Sequence, residues 1–383
     1  MKTETQLDIK KVRIALEVTA VSPIHITALE SGRYLPDSRR VVASADSGFP
    51  CTLTRKVPVV RVDPMMQTKD GEDKKLSPTV DVPVIPSSTL CGKLRNAAAE
   101  LIERSFVDRK ERISPETFAT MRSGSATTSM RRDELGVAMS REGANDPFFG
   151  VFGGTSFGLK SHLVVHEGFS VTHDTAPILP WNPLLLKPIP TRDTLGVLPI
   201  IRKNQIFEMM GQEHLVKLLG EDALMGYLSE TTSKQAESKA KKAAGEKGKK
   251  EDLRTVAATQ VIVPGVGFVW TFDLTYRNPA QLGLLLMALR EVVNAGQVGG
   301  REAKGCGRFR VDMAKLFPLP KEGQGDINVF TPPVEGQSRV LSDSEVVAEA
   351  VLAADTFLET VTAAHYERYA ADDAPLKFKE AAK

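Results

Sequence analysis

The sequence predicts an α+β fold of the ferredoxin-like (RRM-like, βαββαβ) kind, interrupted by long insertions. Three observations carry this reading. Segments with two-residue alternation and segments with 3.6-residue apolar spacing follow one another as strand, helix, strand, strand, helix, strand. A leucine-rich helical stretch runs directly into GQVGGREAKGCGRF, Gly296–Phe309, a loop with five glycines. The stretches between these elements are long, and most are rich in Gly, Pro and charged residues.

Lys11–Val21, KVRIALEVTAV, alternates apolar and polar residues and stops at Ser22-Pro23, the pattern of a half-buried first strand. Residues 28–82 lose that pattern and read as an irregular or hairpin insertion with a basic patch at Arg55, Lys56 and Arg61. The first long helix is expected after Pro86, with Leu90, Leu94, Ala97, Ala98 and Leu101 on one face and Ser87 or Ser88 as its cap. Residues 106–160 end in PFFGVFGGTSFG, where Phe148, Phe149 and Phe152 are expected to anchor a loop in the core rather than stack on bases.

His162–Thr172 alternates as a second strand, and Thr175–Pro199 is proline-rich and extended. Glu213–Leu228 has helical spacing, whereas Lys234–Lys250 is a low-complexity run that cannot pack a core, read as a solvated helix or disorder. Val261–Tyr276 reads as a turn entering a third strand. Asn278-Pro279, a cap followed by a first-turn proline, opens the second helix through Leu282, Leu285, Leu286, Leu289 and Val293. Arg308–Met313 supplies the fourth strand. Ser342 and Glu345 form an expected capping box for an amphipathic C-terminal helix.

Composition narrows the function classes. Over 383 residues the formal net charge is only +2, so any nucleic-acid binding rests on local clusters of Lys and Arg. Cys51, Cys91 and Cys306 are odd in number and far apart, which argues against a disulfide framework and a CxxC metal site and points to a reducing cytoplasm. The N-terminus lacks the apolar core of a signal peptide, and no run is long enough for a membrane helix. The expectation is a cytoplasmic protein with no membrane partner, cofactor or metal.

The glycine loop is the strongest functional signal. Gly299, Gly300 and Gly305 bring backbone N–H groups close to a ligand, and Arg301, Lys304 and Arg308 add cations, a combination suited to phosphate. It is not a nucleotide-triphosphate loop, because Cys306 stands where the lysine belongs. A plain helix cap and turn would account for Gly296 and one further glycine only. His25 offers general acid–base chemistry, although a lone histidine at a strand end is usually structural. His162, His166 and His173 lack the carboxylate or cysteine that would complete a zinc site.

Five segments then carry a family resemblance in order: SPIHIT, VPVIPSSTLCGKLRNAAAEL, FFGVFGG, VIVPGVGFVWTFDL and GGREAKGCGRF. Together they resemble the RAMP superfamily of CRISPR-associated proteins, and more narrowly the repeating backbone ("Cas seven" group) subunits of type III and type IV effector complexes. The resemblance implies a palm of residues 1–27, 83–105, 161–173 and 259–315. It also implies a finger at 106–160 and a thumb at 174–258, alongside the 28–82 insertion and a C-terminal extension, 316–383. It implies further copies of the chain stacked along a CRISPR RNA, other effector subunits, and a target DNA or RNA paired to the guide, with the protein reading backbone rather than sequence.

Carried over residue by residue, Ser87, Ser88, Lys93 and Arg95 match the family's phosphate-contacting helix start, and Arg301, Lys304 and Arg308 lie in its glycine-rich loop; with the resemblance, Arg55, Lys56, Arg61 and His25 are further expected RNA contacts. Type III subunits carry a cleaving aspartate in a pattern like I-D-S-P-V-I before the first helix. Here the run is RKVPVVRVD, with Lys56 in that place. A cation there is neither base nor metal ligand, which favours a type IV-like subunit without nuclease activity. The enzymatic alternatives are a type III-like subunit that cuts target RNA and a CRISPR-RNA processing endoribonuclease.

Overall fold

The computed structural model describes residues 10–35, 38, 40–42, 49–61, 65–67, 73–75, 78–124, 134–202, 255–301, 305–319, 325–334 and 336–370. The helical stretch Glu213–Leu228 and the run Lys234–Lys250 lie outside them. The chain divides into two compact units, one of Met1–Ala28, Thr54–Gly196 and Val261–Lys383, the other of Leu29–Leu53 and Val197–Gln260.

The chain begins with β1 (Lys10–Ala20), β2 (Thr27–Leu35), β3 (Arg40–Val42), β4 (Phe49–Thr54) and β5 (Lys56–Val60). A small hairpin, β6 (Met65–Gln67) and β7 (Asp73–Lys75), precedes β8 (Thr79–Ile85), which leads into α1 (Ser87–Asp108). Next come α2 (Pro115–Ser123), α3 (Glu134–Gly143) and the single turn α4 (Phe149–Phe152). The middle of the chain supplies β9 (Leu163–Val165), β10 (Gly168–Ser170), β11 (Leu195–Arg202), β12 (Thr255–Ile262) and β13 (Gly267–Tyr276). The last elements are α5 (Pro279–Ala295), β14 (Phe309–Leu319), β15 (Ile327–Asn328), α6 (Glu345–Thr360) and α7 (Ala363–Ala370).

In the larger unit the sheet order is β15-β14-β1-β13-β10-β8-β5, with β9 also paired to β13. Its neighbours are antiparallel throughout. Alternation sorts the two faces. Val12, Ile14, Leu16, Val18 and Ala20 of β1 meet Phe268, Trp270, Phe272 and Leu274 of β13 in the core, under α1 and α5. Arg13, Ala15, Glu17 and Thr19 take the opposite face.

The smaller unit holds most of a second sheet, in the order β11-β12-β4-β2-β3. In it β12 runs parallel to β4, and β2 runs antiparallel to β3. The sequence reading merged 28–82 into one insertion; its 29–53 part belongs to this unit and its remainder to the larger one.

The second helix begins and ends as expected. Asn278 accepts a hydrogen bond from Gln281 N (3.1 Å), and Gly296 closes the helix at φ 61°. It is more apolar all round than a surface helix, because α6 packs on it and buries the side away from the sheet. Three expectations needed correction. The second strand is split into β9 and β10: between Val165↔Phe272 and Phe169↔Val269, β9 and β10 advance four residues while β13 advances three, a bulge at His166-Glu167. Neither Ser87 nor Ser88 caps α1; its cap position is Pro86, and no side chain bonds there. Ser342 makes no capping box either, since its hydroxyl donates to Asn328 O (2.6 Å) and α6 starts after Ser344.

Phe148, Phe149 and Phe152 are buried, as expected, and Tyr366 and Tyr369 of α7 pack onto Phe149 at 5.5 and 4.9 Å between ring centroids. The C-terminal extension is therefore part of the core. Close approach of α5 and α6 rests on Gly283, where an added Cβ would lie 1.9 Å from Ala350 O. Gly283→Ala is expected to lose roughly 1–3 kcal/mol of stability by overpacking, outweighing its gain of about 1 kcal/mol in helix propensity. Urea denaturation of the two proteins checks it.

Candidate nucleic-acid interface

The glycine loop folds as a tight hairpin. Val298 N donates to Gly307 O (2.9 Å) and Phe309 N to Gly296 O (2.9 Å). Its two arms are fastened to the end of β1: Gly307 N donates to Pro23 O (2.8 Å), Gly300 N to His25 O (2.9 Å) and Arg308 N to Ser22 Oγ (2.9 Å). Two glycines are required by this geometry. At Gly307 (φ 91°) a Cβ would lie 2.4 Å from Val298 O, and at Gly299 (φ 89°) 2.7 Å from His25 O.

Part of the expected amide cradle is already bonded within the protein. Gly300, Cys306, Gly307 and Arg308 give their N–H groups to the protein's own acceptors. What the loop presents outward is side chains. Arg308 is exposed and Arg301 half-buried, neither with a side-chain partner among the described residues. Gly305 is exposed at the tip, and Lys304 lies outside the described residues. Arg301 stands at φ 64°, a left-handed conformation that costs a non-glycine residue ~1–2 kcal/mol.

His25 is 1% exposed, with its ring between Thr27 Oγ1 (3.2 Å) and Thr54 Oγ1 (3.5 Å). Its imidazole is a buried strut inside the β1 end. The neighbouring carbonyl of Ile26 accepts from Arg55 N (2.8 Å), and Arg55 O accepts from Val84 N (3.2 Å), two residues before Pro86. A continuous path of backbone bonds thus joins the glycine loop, the Ser22–Ile26 turn, Arg55 and the start of α1 at one end of the sheet. Arg55 is exposed there and has no side-chain partner among the described residues.

The start of α1 already holds an anion. The β9–β10 bulge brings Glu167 against it, where Ser87 N (3.3 Å) and Ser87 Oγ (3.4 Å) donate to the carboxylate. Ser88, beside it, is exposed. Lys93 is half-buried and has a partner of its own.

Arg95 serves the fold. It donates to the carbonyls of Met121 (2.7 Å), Phe152 (3.0 Å), Thr120 (3.1 Å) and Gly153 (3.2 Å), joining α1 to the ends of α2 and α4. Burial pushes its pKa down to about 10. Arg61 is also committed, to Asp174 (2.9 Å), which accepts a second bond from Thr191. Burial works to raise the Asp174 carboxyl, but those bonds prevail and hold it below its ordinary value. Lys56 lies 3.9 Å from Asp81, a neighbour on β8. Sequence reasoning missed Arg310, exposed on β14 just beyond the loop and bonded to Asp312 (2.7 Å). Strand alternation from Arg308 was the signal that could have found it.

Among the described residues no three His, Cys, Asp or Glu gather as a metal site, and no helix is long and apolar enough to cross a membrane. Fold and site define an α+β protein whose larger, antiparallel sheet ends in a fastened, arginine-bearing glycine loop. The RAMP superfamily model matches residues 17–310, and the chain belongs to that superfamily. Among solved structures it is similar to a chain of a type IV-B CRISPR complex, with 14% identity, a TM-score of 0.39, and coverage of 84% of this chain and 95% of that one. No curated protein matches it.

The two kinds of arginine separate experimentally. Arg95→Ala is expected to lose about 3 kcal/mol or more by stranding buried carbonyls, and Arg95→Lys to recover little of it, since an ammonium cannot reproduce the planar fork. Arg308→Ala is expected to stay within about 0.5 kcal/mol of the parent. Thermal and urea unfolding decide both.

Proposed function

We propose that this chain is an RNA-binding backbone subunit of a type IV-like CRISPR effector complex, without nuclease activity of its own. Several copies line up on one CRISPR RNA beside other effector subunits and leave its bases free to pair with target nucleic acid. The observation that carries this reading is the arginine-bearing end of the sheet in a RAMP superfamily chain: Arg301, Arg308 and Arg55, set on a backbone that is hydrogen-bonded from the glycine loop to the start of α1. A ferredoxin-like palm is supported by the order β14-β1-β13-β10 with α1 and α5 over one face.

The chemistry follows from the loop's geometry. The N–H groups of Gly300, Cys306, Gly307 and Arg308 are bonded within the protein, which favours binding through side-chain cations that meet phosphates and release counterions. Such contacts read backbone and not sequence, as a guide RNA requires. Arg301 fits this role better than that of a turn residue, because glycine would occupy its φ without strain. Lys56, in the place of the type III aspartate and close to Asp81, supports a subunit that does not cut.

Alanine at Arg55, Arg301 and Arg308 together is expected to flatten the slope of log affinity against log salt by about 2, near 0.7 for each lost phosphate contact on single-stranded RNA. Arg301→Gly is expected to weaken RNA binding while leaving stability equal or higher. Titrations of labelled RNA across a salt series measure both, and unchanged binding would reduce the loop to a turn. Incubation with guide-paired RNA, with and without magnesium, is expected to leave the RNA intact.

A further inference from the structure

Away from the arginine-bearing end, the larger unit has two unlike surfaces on opposite sides of its sheet. On the outer face lies a strap within Ala176–Arg192, APILPWNPLLLKPIPTR. A buried carboxylate holds it. Glu17 is 0% exposed, and its oxygens accept from Leu184 N (2.6 Å), Leu185 N (2.8 Å) and Leu186 N (2.9 Å). Trp181 packs against Phe317 of β14 (6.0 Å between ring centroids), and Leu186 packs against Gly267.

Burying a charge is costly unless it is fully bonded, and here it is used to fix three consecutive N–H groups. The result is a rigid backbone with Leu186 turned in and Leu184 and Leu185 turned out, 66% and 57% exposed. Ile178 adds a third exposed apolar side chain, at 45%. The strap contains no carboxylate, and its cations, Lys187 and Arg192, are both exposed.

The other surface is α6. Val347, Ala350 and Ala354 face α5, which itself covers the inner face of the sheet. The outward side of α6 therefore looks away from the strap. Glu345, Glu349, Leu352 and Glu359 recur there at helical spacing beside Asp355, all exposed, and Leu352 at 68%. From Leu341 to Thr360 there is no Lys, Arg or His. Such a face repels nucleic acid and suits an apolar partner surface edged with cations.

We propose that the strap of one copy docks on α6 of the next, Leu184 and Leu185 packing around Leu352 while Lys187 meets the α6 carboxylates. Two different surfaces on opposite sides make a head-to-tail contact, which propagates instead of closing. This rests on the reading that several copies share one RNA. The contact is small, and RNA strengthens it by raising the local concentration of neighbours.

The test uses the full chain with an RNA long enough for several copies and an oligonucleotide that holds one. Leu184→Asp/Leu185→Asp and, separately, Leu352→Lys are expected to abolish cooperative binding to the long RNA and to bind the short one within twofold of wild type. Mixed in equal amounts on the long RNA, the two variants are expected to give pairs and no longer species by analytical ultracentrifugation, because each keeps one working face. That mixture also reports that both variants fold. Lys187→Glu combined with Glu349→Lys is expected to recover cooperativity that either change alone removes. Wild-type cooperativity in either face variant, or long assemblies from the mixture, overturns the proposal, as does a wild type that binds both RNAs without cooperativity. Failure of the wild type to bind even the short RNA sinks the RNA reading instead, and the docking is then judged on the same pairing pattern in RNA-free protein at high concentration.

Discussion

The weld between the glycine loop and the Ser22–His25 turn is the constraint on which the rest of the functional surface depends. Pro23 O and His25 O accept from Gly307 N and Gly300 N at 2.8 and 2.9 Å, so neither glycine can move without disturbing the end of β1. β1 is paired along its length to both β13 and β14, and that pairing passes the rigidity into the centre of the sheet. A loop free to change shape would carry its arginines through many positions. A welded one presents Arg301 and Arg308 in fixed places, and the Ile26–Arg55–Val84 bonds extend the same frame to the start of α1.

Outside the sheet the larger unit has much irregular backbone, and it fastens that backbone with charged side chains. Arg95 collects four carbonyls, Glu17 three N–H groups and Asp146 the N–H groups of Phe148 and Phe149. Arg109 in turn binds the carbonyls of Leu358 and Glu359 at the end of α6. Most of these bonds go to polar groups at helix ends or in loops, where regular pairing runs out. The cost is that the side chains of Arg95 and Arg61 are committed to internal acceptors.

The sequence made the central elements legible because their signals are local. Alternation marked β1, Asn278-Pro279 marked the start of α5, and apolar spacing marked the buried face of α1. The role of single charged residues was not legible, because it depends on contacts far along the chain. Arg95 looked like a phosphate ligand beside Ser87 and Ser88 until residues 120–121 and 152–153 supplied its acceptors. Glu167 gave no sign that a bulge would aim it at Ser87, since one extra residue in a strand has little local signature. The glycine loop was legible as the connection between α5 and β14, but the internal use of part of its amides was not: composition reveals where N–H groups concentrate, not that Gly300, Cys306, Gly307 and Arg308 already have acceptors.

The proposed path of the RNA follows the welded end of the sheet, held by arginine side chains set on a rigid backbone. Ultraviolet cross-linking of the RNA-bound protein, with the attachment sites mapped by peptide mass spectrometry, tests it most directly. Cross-links are expected to concentrate in peptides spanning Ser22–Thr27, Arg55 and Gly299–Arg310, with few on α6. Cross-links concentrated on α6 or on the strap, with the glycine loop unmodified, would contradict it.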